Sequence, residues 1–312
     1  MSYRKFLKIW IAFTALLFLA MALFNYMVDP LAYFRIPAEG IFLSAERQVK
    51  PKAIQQFPHN ALIIGTSKPD LINPDDININ GLTFYNASMA SGLPEEIATF
   101  LERYVTDQKL VIVGLDLFTF NERDRPLSQT KFGEFGMEDY TVYLANFTTL
   151  INSIRHIRAT KRGDRPANLP NGQRNPYYLD PTPVTNFSET DYEETFNALR
   201  TNMYGKFDFS YGRIKRLKEF KANMDARGVK VIFYANPLNE FVYRDIILAD
   251  TGIAAAYKTY ISQLSTTLGD SFVDYSQHPI GRFTCFYAAD PHHYLPSCGA
   301  EFVKQLIQEY AP

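Results

Sequence analysis

Residues Asn60 to Asp70 read NALIIGTSKPD, and this stretch decides the fold. The apolar run from Ala61 to Ile64 predicts a buried β-strand, and Gly65 permits a sharp turn directly after it. Ser67 would then stand just past the carboxyl end of a strand, where open α/β sheets bind their ligands. A serine at this position can equally be the N-cap of the next helix, so the strand-Gly-x-Ser pattern alone leaves both roles open.

Short apolar runs alternate with helical patterns along the rest of the chain. Such alternation is typical of an α/β domain built on a parallel sheet, and apolar, β-branched strands indicate burial on both faces. Pro94 and Ser210 are expected to begin two helices, the second of which ends at Gly228, and a last helix carries Phe302 to Tyr310. About five strands are expected, at Ala61 to Ile64, Thr83 to Tyr85, Leu110 to Leu117, Val229 to Tyr234 and Ser271 to Asp274.

Composition places the chain among folded proteins and excludes one class of partner. Its 312 residues, 46% hydrophobic and 21% charged, are enough for one large α/β domain or two small ones, with no room for long disorder. The formal net charge is -1, whereas proteins that bind nucleic acid concentrate Lys and Arg against the phosphates, so we expect no nucleic-acid partner. The 15% aromatic content suits either sugar stacking or an aromatic-rich core.

An uncharged apolar segment runs from Ile9 to Val28. About 20 residues at 1.5 Å each match the ~30 Å hydrocarbon layer of a bilayer. Arg4, Lys5 and Lys8 precede this segment, so the positive-inside rule predicts a cytoplasmic N-terminus, a single crossing and export of the remaining chain. A cleaved signal peptide with its Ala-Met-Ala site at residues 20–22 is the competing interpretation, and a buried core helix is a third.

This pattern divides the chain into three parts. Residues 1–29 hold a cytoplasmic stub and the transmembrane anchor, residues 30–58 form a connecting segment with some helix, and residues 59–312 form the α/β domain. The alternation of strands and helices is interrupted at about 121–209, a region rich in Pro, Asn, Arg and Tyr that includes the loop-like stretch from Arg162 to Pro183. We treat this region as an insertion, which is either a lid or substrate-binding surface or an addition without such a role.

A second chemical motif lies far along the chain from Ser67. The residues from Tyr287 to Leu295 read YAADPHHYL. Asp290 and His293 are three residues apart, and on a turn this spacing brings a carboxylate to an imidazole. The carboxylate then fixes the tautomer of the ring and stabilises the imidazolium that forms when the ring takes a serine proton. The alternative is that Asp290 caps the following turn and that the histidines lie on the surface.

Together, the turn at Ser67, the block that starts at Asn86 and the Asp290-His293 pair resemble the SGNH/GDSL hydrolase superfamily, which combines a first-strand serine with a terminal Asp-x-x-His. The chain is similar to its membrane-anchored branch in envelope polysaccharide modification, which includes periplasmic alginate O-acetyltransferase-like and D-alanine transfer proteins. The resemblance implies a three-layer, flavodoxin-like α/β fold, with Ser67 as nucleophile, His293 as base and Asp290 as the carboxylate that orients it. It covers roughly 61–117 and 229–310 of the chain.

The oxyanion hole implied by this resemblance falls on two segments that depart from the superfamily's pattern. The segment from Asn86 to Gly92 reads NASMASG, with Ser88 where a glycine N–H is expected; a serine keeps that N–H. In the other segment Asp116 replaces the expected asparagine, and an ionised carboxylate would repel an oxyanion. We therefore expect Asn86 and the Ser67 N–H to stabilise the oxyanion, Asp116 to be a structural acceptor for nearby backbone, and hydrolysis to be slow.

Cys285 and Cys298 flank the second motif and have two possible uses. With His292 and His293 they are potential zinc ligands, but adjacent histidines point in different directions on an extended backbone. Export from the cytoplasm instead favours a disulfide, whose closed loop of about 14 residues would stabilise the fold by ~3 kcal/mol and brace the turn at Asp290. We therefore expect a disulfide, no metal and no cofactor.

The expected activity is acyl transfer through an acyl-serine intermediate, in which Ser67 takes an acetyl-type group and passes it to a hydroxyl of an envelope polysaccharide. The resemblance and the anchor imply transfer, a membrane-bound acyl-transfer partner, and a place at the inner membrane with the domain in the periplasm. An exported esterase would use the same residues. A catalytically silent domain that binds polysaccharide or scaffolds an assembly complex is the alternative from a different class.

Overall fold

A sheet of five parallel strands forms the centre of the protein. The computed structural model describes residues 2–77, 79, 81–128, 130, 132, 137–176, 189–287 and 290–311. The strands lie in the order β2-β1-β3-β4-β5 and are β1 (Ala61–Ile64), β2 (Phe84–Asn86), β3 (Leu110–Leu115), β4 (Lys230–Ala235) and β5 (Phe272–Asp274). The prediction of an α/β fold on about five parallel strands is confirmed.

Helices cover both faces of the sheet because alternate side chains of each strand point in opposite directions. Leu62 and Ile64 of β1 belong to one buried apolar cluster, whereas Ala61 and Ile63 belong to a second. The first cluster is covered by α2 (Glu46–Ala53), α4 (Pro94–Tyr104), α8 (Tyr211–Ala226) and α9 (Thr251–Leu268), and the second by α10 (Pro296–Tyr310).

The chain changes its direction across the sheet at the border between β1 and β3. From β1 it moves outward to the edge strand β2, returns past β1 and continues outward through β3, β4 and β5. At such a reversal the loops at the carboxyl ends of two neighbouring strands diverge and leave a crevice. Helix α3 (Ser67–Asp70) begins in the loop after β1, and Asp116 directly follows β3, so both predicted site segments border this crevice.

The predicted apolar segment forms helix α1 (Tyr3–Val28), which is long and apolar enough to cross a membrane. Its mean hydropathy reaches 2.2 over 18 residues, and only 6% of that stretch is buried. Within the part of the chain that the structure describes, no other helix has this combination of length and hydropathy. The prediction of one apolar N-terminal helix of spanning length is confirmed.

The region at about 121–209 contains α5 (Met137–Leu144), α6 (Phe147–Arg162) and α7 (Glu189–Leu199). A bridge between Asn121 and Phe209 joins its two ends. Helices α5 and α6 pack against α1, and the Asn171 carbonyl accepts the Asn86 N–H of the edge strand at 3.0 Å. This region therefore reaches both the apolar helix and the sheet edge. The part of the predicted loop-like stretch from residue 177 onward lies outside the described residues.

Ser210 precedes helix α8, as predicted, but its hydroxyl does not cap the helix. The side chain is buried, and its hydroxyl has no hydrogen-bond partner among the described residues. Its N–H donates instead to the Phe120 carbonyl at 2.9 Å, so Ser210 joins the start of α8 to the segment after β3.

Candidate active site

The turn after β1 fixes the position of Ser67 through close packing. A Cβ on Gly65 would lie 2.5 Å from the Gly114 carbonyl oxygen of β3, so only glycine fits there. Thr66 Oγ1 accepts the Lys68 N–H at 3.4 Å and donates to Asp116 Oδ2 at 2.5 Å. Ser67 follows as the first residue of α3 and is partly exposed.

The structure brings Ser67, His293 and Asp290 together. His293 Nε2 lies 2.8 Å from Ser67 Oγ, and His293 Nδ1 lies 2.5 Å from Asp290 Oδ2. The other Asp290 oxygen accepts the His292 N–H at 3.1 Å, which fixes the carboxylate. In this arrangement the imidazole can take the serine proton through Nε2 while the carboxylate stabilises the resulting imidazolium.

Asp290 and His293 lie on a strand, whereas the sequence analysis expected a turn. Strands β6 (Phe286–Tyr287) and β7 (Asp290–Tyr294) form an antiparallel pair with an irregular register, and β7 lies against α3. An irregular register re-aims side chains, which explains how two residues three apart meet on a strand. Cys285 and Cys298 lie at disulfide distance on either side of this pair, consistent with the predicted disulfide.

Burial and charge set the protonation states around this site. Burial by itself would raise the pKa of Asp290, but the adjacent His293 and the His292 N–H hold that pKa well below its usual value. Burial also lowers the pKa of His292 well below its usual value, and the nearby Lys68 and His293 lower it further. Asp290 is therefore ionised and His292 neutral at neutral pH, and His293 is the ring in contact with the serine.

The zinc alternative loses its sulfur ligands in this structure. Cys285 and Cys298 are joined to each other, so neither offers a thiolate to a metal. The rings of His292 and His293 are turned 89° from each other. Among the described residues, no group of three or more His, Cys, Asp or Glu side chains could hold a metal ion.

Asn86 and Ser88 support the nucleophile turn, which corrects their expected role as oxyanion donors. Asn86 donates both amide hydrogens, to the Pro69 carbonyl at 2.7 Å and to the Ile72 carbonyl at 2.9 Å. Its Oδ1 accepts the Ser88 N–H at 3.0 Å. Since these donors are already bonded, neither the Asn86 amide nor the Ser88 N–H is free for an oxyanion; Asn86 is a positioning residue.

Asp116 accepts from side chains, where the sequence analysis expected backbone donors. Its Oδ2 accepts Thr66 Oγ1 at 2.5 Å and Asn236 Nδ2 at 2.9 Å, and its Oδ1 lies 2.8 Å from Lys68 Nζ. All four side chains are buried. The charge of Asp116 is thus balanced by the lysine directly after Ser67, and its carboxylate ties β3 to the nucleophile turn.

The turn at residues 89–92 lies within the predicted oxyanion segment from Asn86 to Gly92, but the N–H groups that it leaves free are not the ones that the sequence analysis named. The Met89 N–H donates to the Gly65 carbonyl at 3.0 Å, and a Cβ on Gly92 would lie 2.8 Å from that oxygen, so this turn lies directly against the nucleophile turn. The Gly92 N–H donates to the Met89 carbonyl at 2.9 Å. Ser91 has a φ of 52°, which favours glycine. Within the described residues, the N–H groups of Ala90 and Ser91 have no hydrogen-bond acceptor.

Arg47 holds this turn from the outside, and the sequence analysis did not identify it. Its guanidinium donates to the Ala90 carbonyl at 3.0 Å and to the Ser91 carbonyl at 3.5 Å, and it pairs with Glu96 Oε2 at 2.6 Å. The run of small residues before Gly92 is the sequence signal for such a close turn. No local signal connects Arg47 with it, because the contacts cross 43 and 44 residues of chain.

No protein-family model matches this chain, and no curated protein sequence matches it. The arrangement of Ser67, His293 and Asp290 therefore carries the functional argument.

Proposed function

We propose that this chain is a membrane-anchored acyltransferase of the SGNH type, which moves an acyl group such as acetyl onto a hydroxyl of an envelope polysaccharide. The observation that carries this proposal is the position of His293, 2.8 Å from Ser67 Oγ and 2.5 Å from Asp290 Oδ2. The strand order β2-β1-β3-β4-β5 supports it, because flavodoxin-like sheets have this order and bind ligands at the border of β1 and β3.

The first half of the reaction acylates Ser67. As Oγ attacks the carbonyl carbon of the donor, its proton passes to His293 Nε2, and Asp290 stabilises the imidazolium. The tetrahedral intermediate then collapses, the bond to the leaving group breaks, and that group leaves with the proton from Nε2. The acyl group remains on Oγ as an ester.

Free backbone N–H groups near Ser67 form the oxyanion hole of this proposal. The Ser67 N–H makes no hydrogen bond to any residue that the structure describes, and the same holds for Ala90 and Ser91 in the turn that lies against Gly65. Preorganised N–H donors of this kind each contribute about a hundredfold to a thousandfold in rate. Asp116 faces Lys68 and is no donor.

The second half of the reaction transfers the acyl group to its acceptor. His293 Nε2 takes the proton of an acceptor hydroxyl, whose oxygen attacks the acyl carbonyl, and Ser67 Oγ leaves with that proton. A polysaccharide acceptor and a membrane-bound acyl-transfer partner belong to the proposal through the resemblance to envelope-modifying proteins. Helix α1, preceded by Arg4, Lys5 and Lys8, supports a place at the inner membrane with the domain on the periplasmic side.

Intact mass spectrometry of the full chain in detergent micelles, incubated with an activated acetyl ester, tests the acylation step. We expect wild type to gain one acetyl mass on Ser67, and Ser67→Ala and His293→Ala to gain none. Ser265→Ala, which changes an exposed serine of α9, is the matched control and should acylate as wild type does.

The fate of the acetyl group then separates the candidate functions. Discharge that is faster with added oligosaccharide than with water alone supports transfer, whereas equal rates indicate an esterase. If Ser67 is never acylated in a folded chain, the catalytic proposal fails and a polysaccharide-binding domain without catalysis takes its place.

A further inference from the structure

Helix α6 has the opposite polarity from a helix on the surface of a water-soluble domain. Its side toward the protein is mostly polar, with Thr149, Ser153 and His156 buried. Its outward side carries large apolar side chains one turn apart, which are Phe147 (67% exposed), Ile151 (50%) and Ile154 (37%). Val142 of α5 adds a fourth (61%). A surface helix in water buries its apolar side, so these four residues, the α5–α6 apolar face, are suited to another environment.

The position of α6 against α1 identifies that environment. Of the residues of α1, Met21 and Asn25 are buried. Asn25 Nδ2 donates to the Leu144 carbonyl at 2.8 Å, and its Oδ1 accepts Ser153 Oγ at 3.0 Å. At 1.5 Å per residue, Asn25 lies within about 5 Å of the end of the apolar helix, and Met21 within about 11 Å. Both lie in the half of the apolar segment nearer the domain.

The Asn25 contacts are those that a polar side chain needs inside lipid. An unpaired amide in hydrocarbon is costly, and neighbouring helices or backbone carbonyls must satisfy it. The α5–α6 junction supplies these partners to Asn25, and Asn25 lies within the part of α1 that would be inside the bilayer. A segment that packs at this depth has lipid on its outer side.

Positive charge follows the apolar face along α6. Arg155, Arg158 and Lys161 are exposed, and none of them forms an ion pair with a described residue. Arg158 continues the side that carries Phe147, Ile151 and Ile154, one turn further on. An apolar face followed by unpaired cations is complementary to a lipid leaflet, in which the acyl chains are followed by the phosphate headgroups.

We infer that the α5–α6 apolar face is a second membrane contact, inserted into the bilayer leaflet on the side of the domain, with Arg155, Arg158 and Lys161 on phospholipid phosphates. This inference rests on the part of the proposed function that places α1 across a membrane. It does not depend on the catalytic residues. Its consequence is attachment at two elements, which fixes the height and tilt of the sheet over the membrane where a single helix would leave both free.

Quenching by brominated lipid tests this contact in the full chain reconstituted into lipid nanodiscs. Trp10 is the only tryptophan, so the Trp10→Phe variant has no tryptophan emission. Adding Phe147→Trp or Ile151→Trp to this variant then places a single fluorescent probe on the α5–α6 apolar face. Leu248→Trp (49% exposed) is the matched control on an exposed apolar residue of another element. We expect lipids brominated near the headgroup end of the acyl chain to remove most emission at 147 and 151 and to leave 248 unchanged.

The native Trp10 separates failure of this inference from failure of the membrane location. If brominated lipid quenches Trp10 but leaves the probes at 147 and 151 as bright as the control probe at 248, the second membrane contact is overturned and the anchor remains. Trp10 unquenched would overturn the membrane location and the inference with it. Acylation of Ser67 is measured in a separate experiment, and its result does not affect either conclusion about membrane contact.

Discussion

The Asp116 carboxylate balances the Lys68 ammonium inside the protein, directly beside the nucleophile. Asp116→Asn removes the negative charge and leaves the lysine buried without its counter-charge. We expect this variant to lose about 3–5 kcal/mol of unfolding free energy, because breaking one side of a buried pair leaves an uncompensated charge. Urea unfolding of the full chain in detergent micelles measures the loss.

The double variant Lys68→Met with Asp116→Asn is the control for that charge. It removes both members of the pair, so it should regain most of the stability that Asp116→Asn loses. A double variant as unstable as the single one would show that the hydrogen bonds from Thr66 and Asn236, and not the ion pair, make Asp116 important.

A second buried pair near the site gives stability a pH dependence. Lys50 Nζ lies 2.5 Å from Asp70 Oδ1, and both side chains are buried. Burial raises the pKa of Asp70 to about 6, because Lys50 offsets only part of the cost of removing the carboxylate from water. Between the usual value of 3.8 and about 6, the folded protein binds this proton more tightly than the unfolded chain does.

The unfolding free energy is therefore expected to fall as the pH rises through this window. The shift corresponds to about 3 kcal/mol at most. Asp70→Asn removes the titrating group, so its stability should change less over the same pH range, although its absolute stability is lower because Lys50 loses its partner. Urea unfolding at pH values on both sides of the window measures the two slopes, and parallel curves for wild type and variant would contradict the assignment.

At the scale of elements, the turn at residues 89–92 depends on Arg47. Arg47→Ala removes the donors to the Ala90 and Ser91 carbonyls. Without Arg47 the turn is more mobile, and its N–H groups are no longer fixed toward the oxyanion. We therefore expect the rate of Ser67 acylation to fall by about a hundredfold, which is the cost of losing one oxyanion donor. Pre-steady-state acylation by an activated ester measures this rate.

Ser91→Gly is the matched variant for this turn. It keeps the N–H and accepts the φ of 52° without strain, so acylation should continue at close to the wild-type rate. An Arg47→Ala variant that acylates at the wild-type rate would remove the turn from the proposed oxyanion hole.

The central elements were predictable because local sequence determines their burial. Every residue of β1 and β3 is buried, and both strands are continuous apolar runs. Helices α5 and α6 were not predictable in the same way, since α6 turns polar residues inward and apolar ones outward. The sequence of α6 has a helical period, but which of its sides faces the protein becomes clear only when α1 is packed against it.

In the candidate site, too, residues in local motifs could be predicted and residues defined by long-range contacts could not. Ser67, Asp290 and His293 belong to local motifs, and the sequence indicates them. Asn86 shows the limit, because the resemblance implied an oxyanion donor at this position while its amide donates to two carbonyls of the nearby turn. Arg47 makes its contacts across 43 and more residues, and only the folded chain brings them together.

At the scale of the whole protein, Asp29 joins the apolar helix to the domain. It ends α1 with a φ of 48° and is fully buried. Its carboxylate accepts the N–H groups of Tyr33 at 2.9 Å and of Phe34 and Arg35 at 2.8 Å, and it also accepts the Tyr143 hydroxyl of α5 at 2.8 Å. The connection after α1 is thus a folded link that couples the orientation of the helix to that of the domain.

Loss of this carboxylate should open the link without unfolding the sheet. In Asp29→Ala the backbone N–H groups of Tyr33, Phe34 and Arg35 lose their acceptor, although the Arg35 guanidinium keeps its bonds to the Tyr26 and Met27 carbonyls. Since bonds to a charged group are worth about 1.5–3 kcal/mol, trypsin should cut after Arg35 at least about tenfold faster. Gel analysis of the fragments from the full chain in nanodiscs measures the rate, with Asp270→Ala, at an exposed aspartate, as the control. Equal rates for the two variants would mean that α5 and α6 hold the domain to α1 by themselves, and that Asp29 only ends the helix.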